Sequence, residues 1–367
     1  MSFIEPDEFI ILYDHAALTV ENLKRIRDAG VKTAFNIMWW RDIETSPGVY
    51  DWSEQDNQVD RLRRAGIKAL FRCQDGGPAF FPDDWYLRAA DGRLWRNIYG
   101  YGGNHPRDDR HTCLSPWSPA LEAELAFMRL CRDRYTAPDV QCFAGGWAHG
   151  SEVILPGMVP SYCDAYALES FRDYAEAKFN HDLTAFNQAN NTQFLDWATL
   201  LPSDLPVYGS MQFSPTTAGW LGATLWDAVK TKQSVFPEIW LSLVERNTTF
   251  AEGFECGPRS GNWLMRDLCT YLPDELGKEL NVILFQVNRE GGNQGALNNV
   301  RGFLDKTWIG SEFCEGLYRH TMPSIDAGLR GFITGAVHLY REGSQVFEDW
   351  MVEAFRWSID QWKAARL

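Results

Sequence analysis

Short runs rich in β-branched, aliphatic and aromatic residues alternate with longer amphipathic stretches along the whole chain. Eight such runs read as strands: Phe9–Asp14, Thr33–Trp39, Ala69–Gln74, Val140–Ala148, Glu238–Val244, Val282–Val287, Thr307–Phe313 and Gly331–His338. Between them, Thr19–Ala29 spaces Val20, Leu23 and Ile26 three apart, and Ser53–Ala65 does the same with Val59 and Leu62 before Gly66 stops the helix. Ser118–Arg134, Tyr162–Phe179, Leu221–Gln233, Gly261–Leu272, Gly295–Asp305 and Met322–Leu329 supply further helical stretches. Strand and helix in alternation are the pattern of a parallel sheet with crossover helices, and eight strands are the number that closes a barrel. The expected fold class is therefore α/β, a (β/α)8 TIM barrel.

A chain of 367 residues holds one barrel of about 250 residues plus insertions, so residues 1–367 are expected to form a single domain. Three connections exceed plain barrel turns: Gly76–Pro116 after the third strand, Val153–Pro237 after the fourth and Arg246–Ser260 after the fifth. All three leave carboxyl ends of strands, the face on which barrel enzymes carry their sites.

Composition narrows the partners. With 49 acidic against 35 basic side chains the formal charge is −14, and no basic cluster interrupts it. Nucleic acid is thereby excluded, since its binding relies on neutralising phosphates. The first residues carry Glu5, Asp7 and Glu8 instead of a basic leader region, and the apolar run Phe9–Tyr13 is already needed as a strand. No stretch approaches the length of a membrane span. The expectation is a soluble, cytoplasmic protein without a membrane partner. Eight cysteines, at 73, 113, 131, 142, 163, 256, 269 and 314, form no CxxC pair and read as buried free thiols. Most of the 16 tryptophans belong to the core, while those at strand ends offer flat faces on which sugar rings stack.

Two carboxylates at strand ends carry the chemistry. Glu152 follows the run VQCFAGGWAHGSE out of the fourth strand, and Glu312 sits in KTWIGSEF at the end of the seventh. Cleavage of a glycosidic bond needs a proton donor on the leaving oxygen and a carboxylate across the sugar ring, and these two strands face each other over a barrel mouth. A single acidic strand end is commonly just a group that meets water, so the pair is the argument. Glu315 competes with Glu312, and Glu245 with Glu152. Around them Trp39, Trp40 and Arg41 close the second strand, Gln74 and Asp75 the third, Trp147, His149 and Ser151 precede Glu152, Asn288 closes the sixth strand and His338 the eighth. Aromatic, amide and charged groups of this kind suit a carbohydrate substrate, although strand ends also need polar residues for their own satisfaction.

The segment WRDIETSPGVYDWSEQDNQVD, residues 40–60, resembles the motif after the second strand of clan A glycosidases, most of all glycoside hydrolase family 42. Arg41, Glu44, Pro47, Gly48, Tyr50, Asp51, Trp52 and Asp56 stand in the motif's places. RLRRAGIKALFR, PAFFPDDWYLRAADGRLWRN, RHTCLSPWSPALEAEL and the stretch from Ser161 to Trp197 are similar to later parts of that family's barrel. The resemblance implies a β-galactosidase-like retaining hydrolase with Glu152 as acid/base and Glu312 as nucleophile, the setting WIGSEFCEG being similar to the family's seventh strand. It departs in two places. Ser151 stands where the clan has Asn, and only Cys113 and Cys163 match the four cysteines with which many members hold zinc. Two thiolates do not complete a tetrahedral site, so no metal and no cofactor is expected.

Three other readings stay open at the level of sequence. An inverting glycosidase differs by a wider gap between the carboxylates. A non-catalytic carbohydrate-binding barrel is what the Ser151 departure favours. A metal-dependent hydrolase or an aldolase finds no HxH after the first strand and no strand-end lysine, and His15, His149 and His338 are too scattered for a metal site. The sequence sets no oligomeric state.

Overall fold

A computed structural model of the chain describes residues 9–12, 18–74, 77–78, 80–88, 92, 114–144, 162–205, 214–237, 239–244, 280–285, 305, 307–311, 315–335 and 348–366. Eight parallel strands close into a barrel: β1 (Ile10–Leu12), β2 (Thr33–Trp39), β3 (Lys68–Gln74), β4 (Val140–Ala144), β5 (Ile239–Val244), β6 (Leu280–Phe285), β7 (Thr307–Ser311) and β8 (Gly331–Gly335). Each pairs with its neighbours in sequence order, and β1 pairs with β8 through Ile10↔Ile333 to shut the ring. The registers differ in extent. β2 and β3 are matched along their whole length from Thr33↔Lys68 to Trp39↔Gln74, whereas β4 meets β5 through Ala144↔Ile239 among the described residues.

The two faces of each strand go to different cores, as the period of two requires. Phe9, Ile11, Ala34, Met38, Ala69, Phe71, Cys73, Val140 and Cys142 pack outward with the helices in one continuous apolar cluster. Their alternates Ile10, Phe35, Leu70, Arg72, Phe143 and Trp308 are buried without belonging to that cluster, because they fill the lumen. Inside it the Phe35 and Phe143 rings lie 5.5 Å apart and the Arg72 guanidinium sits 5.6 Å from the Phe35 centroid. At the amino end of the barrel Arg330 lies over the Trp308 ring at 4.3 Å. The lumen is thus a packed interior, as in other barrels of this size.

Local signals explain the helices. α1 (Val20–Asp28) starts where the Thr19 hydroxyl accepts from the Asn22 N–H, with Glu21 in its first turn and Arg25 and Arg27 in its last. α2 (Ser53–Ala65) ends on Gly66, whose φ of 75° is left-handed. α3 (Ala120–Arg134) begins after Ser118, which accepts from the Ala120 N–H. α4 (Ala165–Lys178) begins three residues later than Tyr162 because Asp164 is the residue that caps it. α6 (Pro215–Gln233) begins six residues before Leu221: Ser214 caps it and Pro215, at its first position, needs no N–H partner. α7 (Glu315–Asp326) runs through Pro323 and starts seven residues before Met322, where the expected helix began. The long connection after β4 contains α4, α5 (Leu183–Asn190) and α6, and α8 (Asp349–Ala365) was not read from the sequence at all. α8 buries Val352, Phe355, Ile359 and Trp362, sets Trp362 edge-on to Phe9 at 5.5 Å, and packs against α1 and α7. The expected helices at Gly261–Leu272 and Gly295–Asp305 and the loop Arg246–Ser260 lie outside the described residues, except for Asp305.

Among the described cysteines, Cys73, Cys131 and Cys142 are buried thiols between the barrel wall and α3, and Cys163 is a half-buried thiol outside any disulfide. No helix among the described residues is long and apolar enough to cross a membrane.

α3 and α6 are locked by a buried ion pair, Lys232 Nζ to Glu124 Oε1 at 2.7 Å, with side chains only 3% and 8% exposed. Removing one partner strands the other charge in a low-dielectric interior. Lys232→Met is expected to lower the unfolding free energy by about 3–5 kcal/mol, and the double replacement Glu124→Met/Lys232→Met by much less. Urea denaturation of the two variants checks this difference.

Candidate active site

The carboxyl ends of all eight strands open on one face of the ring, so whatever follows them in sequence starts from that face. Glu152, Glu312, Asp75, Trp147, His149, Ser151, Glu245, Asn288 and His338 all lie outside the described residues. What is described is where the chain departs toward several of them: Gln74 ends β3 immediately before Asp75, Val244 ends β5 before Glu245, and Ser311 ends β7 before Glu312. Glu315, the competitor for Glu312, is the first residue of α7.

The rim is described after β2 and in part of the loop after β3. Trp39 ends β2 half-buried, and one helical turn, Trp40–Ile43, follows it. That turn runs into an antiparallel ribbon of Glu44–Ser46 with Val49–Tyr50. Gly48 makes the reversal with a φ of 73°, a conformation that disfavours any side chain. Glu44, 7% exposed, is the centre of this rim: its Oε2 accepts from the Trp40 indole N–H at 2.6 Å and its Oε1 from the Gly48 N–H at 2.9 Å. The Tyr50 ring lies next to it, and burial first, then the Glu44 charge, raises the Tyr50 pKa. Below the ribbon Asp51 accepts from the Ser53 N–H at 2.9 Å and so leads the chain into α2.

Aromatic rings carry the same rim into the neighbouring loop. Tyr50 stacks on Trp52 (6.0 Å), Trp52 on Phe127 of α3 (5.9 Å), and Phe127 on Trp40 (5.1 Å). Trp40 then meets Phe81 edge-on (5.0 Å), and Phe81 meets Trp85 (5.1 Å). Phe81 and Trp85 belong to the loop after β3, so this column ties two rim loops to one helix. Arg134 covers the outer end over Trp52 at 5.2 Å while pairing with Asp56.

Trp39 and Arg41 therefore differ from the residue between them. Trp40 is 2% exposed and points into the outer core, where it serves the fold. Trp39 and Arg41 are half-buried at the rim, and Arg41 Nη2 donates to the Gly77 carbonyl at 3.4 Å across the gap between the β2 and β3 loops. Sequence reasoning grouped Trp40 with its neighbours as a sugar contact and gave Glu44 no role. The i,i+4 spacing of Trp40 and Glu44 was the signal, since it puts indole and carboxylate on one side of a helical turn.

On the far side of the β3 loop, Cys163 donates its N–H to the Arg88 carbonyl at 2.9 Å, joining that loop to the start of α4. Cys113 lies outside the described residues, and among the described residues no group of three His, Cys, Asp or Glu side chains could hold a metal. Next to Cys163, Asp164 is buried and caps α4, its Oδ1 accepting from the Ala167 N–H at 3.0 Å and the Ser115 hydroxyl at 2.9 Å. Burial outweighs these bonds and raises its pKa above the ordinary 3.8.

The glycoside hydrolase 42 family model, described as beta-galactosidase, matches residues 15–202, just over half of the chain. No curated protein matches the sequence. Among solved structures, the catalytic domain of a beta-amylase from Paenibacillus polymyxa aligns with a TM-score of 0.68 at 13% identity, covering 96% of this chain and 98% of the other. A beta-galactosidase from the psychrophilic Marinomonas ef1 aligns at 0.63 and 14% identity, covering 97% and 59%. One from the Antarctic haloarchaeon Halorubrum lacusprofundi aligns at 0.62 and 15%, covering 97% and 58%. The chain thus spans under two thirds of the length of these two beta-galactosidases, and at such identities the likeness is one of fold.

The Asp164 environment predicts a pH dependence. A carboxyl whose folded pKa is raised stabilises the fold fully only below its unfolded value of 3.8, and that contribution is lost as pH rises through the folded value. Asp164→Asn keeps a good cap but does not titrate. Relative to this variant, the wild type is expected to lose stability between about pH 4 and pH 7, which paired denaturation curves at those two values measure.

Proposed function

The chain belongs to the beta-galactosidase family glycoside hydrolase 42, and from that membership we propose that it is a retaining β-glycosidase, β-galactosidase-like in substrate, working as a single catalytic barrel. The observation that supports the proposal is the closed barrel itself, in which β7 ends at Ser311, one residue before Glu312 in sequence, on the same face at which β4 ends at Ala144, ahead of Glu152. The family match includes Glu152 but ends before Glu312, so the nucleophile rests on the WIGSEFCEG likeness and on its place in sequence one residue past the end of β7.

In the proposed reaction the Glu312 carboxylate attacks the anomeric carbon while protonated Glu152 donates to the leaving oxygen. A glycosyl-enzyme ester forms and the aglycone departs as an alcohol. Glu152, now a carboxylate, takes a proton from water, which attacks the same carbon and frees Glu312. Trp39 and Arg41 on the described rim, with Asp75, Trp147, His149, Ser151, Glu245, Asn288 and His338, form the proposed sugar-binding shell. Ser151 reaches less far than the clan's Asn, so the 2-hydroxyl contact is lost, water-bridged or supplied by another of these groups. No cofactor and no metal takes part in the proposed steps.

A second reading has its own support. The likeness to the beta-amylase domain spans nearly the full length of both chains, and it favours an inverting hydrolase of amylase type on the same barrel.

Glu312→Ala is expected to lower turnover of an aryl β-galactoside by about 10³-fold or more, and azide should restore product as the inverted glycosyl azide. Glu152→Ala should spare nitrophenolate, which leaves without a proton, and give retained azide product. A wild type that cleaves starch with inversion and leaves aryl β-galactosides untouched establishes the second reading instead. Death of Glu315→Ala or Glu245→Ala in place of these variants would move the site.

A further inference from the structure

Glu44 makes no contact that the proposed chemistry uses, yet its carboxylate accepts from two groups of the β2 rim, the Trp40 indole and the Gly48 N–H, while buried. Its consequences can be followed contact by contact. The 2.6 Å bond fixes the Trp40 indole, which is held between Phe127 at 5.1 Å and Phe81 at 5.0 Å. Phe81 in turn packs on Gly77, where an added Cβ would come within 2.9 Å of the Phe81 ring and 2.7 Å of Leu114. Packing this close leaves the Gly77 backbone one position, and its carbonyl is the acceptor for Arg41. The circuit closes, because Arg41 is the residue after Trp40.

We infer that Glu44 is a positioning residue for substrate binding: by clamping the Trp40 turn it sets where Trp39 and Arg41 stand at the barrel mouth. The inference rests on the glycosidase reading above and deepens it. Trp39 and Arg41 flank a side chain that cannot rotate without breaking the indole bond, so their own direction over the mouth follows from it. A stacking ring and a planar guanidinium recognise a sugar only when both are oriented. Neither lies on the path of the proton or of the nucleophile. Loss of the clamp is therefore felt in binding more than in bond cleavage.

The test is a kinetic series on an aryl β-galactoside with galactose binding followed by calorimetry. Glu44→Ala is expected to raise KM and the galactose Kd together by about five- to tenfold, with kcat within about twofold of wild type. Trp40→Phe removes the indole N–H but keeps a ring between Phe81 and Phe127. It should move KM the same way, and the double variant should be no worse than the poorer single one, since both break the same clamp. Glu44→Gln keeps one acceptor oxygen and should fall between wild type and Glu44→Ala. A merely structural Glu44 would behave otherwise: partial unfolding lowers the number of active molecules, so apparent kcat falls and KM does not move. That result, or an unchanged KM in Glu44→Ala and Trp40→Phe, overturns the inference alone. A wild type that neither cleaves the galactoside nor binds galactose overturns the glycosidase reading and this inference with it.

Discussion

Closure of the sheet is the constraint on which the rest of the molecule depends. A parallel strand has helices on one face and, once the ring is shut, other strands on its second face, so both of its faces must be apolar or paired. The β3 sequence KALFRCQ shows the result: Ala69, Phe71 and Cys73 go outward to the helices, while Leu70 and Arg72 go inward. In the lumen the guanidinium of Arg72 lies over the aromatic face of Phe35. Shutting the ring also forces every strand to end on the same face, and that alone brings residues distant in sequence to one mouth.

The helical layer then has to fit around the ring without leaving gaps. α8 completes it against α1 and α7, using Trp362 on Phe9 and Ile359 against Gly30, where an added Cβ would sit 3.0 Å from the Ile359 side chain. Two buried polar pairs join helices inside this layer: Thr321 and Ser358 share a hydrogen bond of 2.7 Å between α7 and α8, and Lys232 meets Glu124 between α6 and α3. Such pairs fix which helix faces lie together, at a cost that only good geometry offsets.

On the rim, the motif that links this chain to its family proves in large part architectural. Glu44, Gly48, Tyr50, Asp51 and Trp52 fold a ribbon, cap a helix and build an aromatic column on Phe127. In the proposed chemistry their part is indirect: a carboxylate and six rings hold the rim loops together beside Trp39 and Arg41, the proposed sugar contacts. This separation of support from contact lets one barrel carry hydrolases of different substrates, as the likeness to both beta-galactosidases and a beta-amylase illustrates.

Much of this was legible in the chain. The eight strand runs are the eight strands, and β2 and α2 have the expected bounds to the residue, because a seven-residue buried run and a helix ending on Gly66 are set by local rules. The family likeness was equally local, a matter of motif residues in order. Tertiary structure decided the rest. Whether Tyr162 or Asp164 starts α4 depends on which side chain reaches a free N–H, and whether α7 begins at Met322 or seven residues earlier is settled where it packs against α8. Trp39, Trp40 and Arg41 are three consecutive large residues that sequence treats alike. Only the fold separates them, because the direction of each side chain is fixed by where the strand ends and the turn begins, and a carboxylate four residues on is waiting for just one of them.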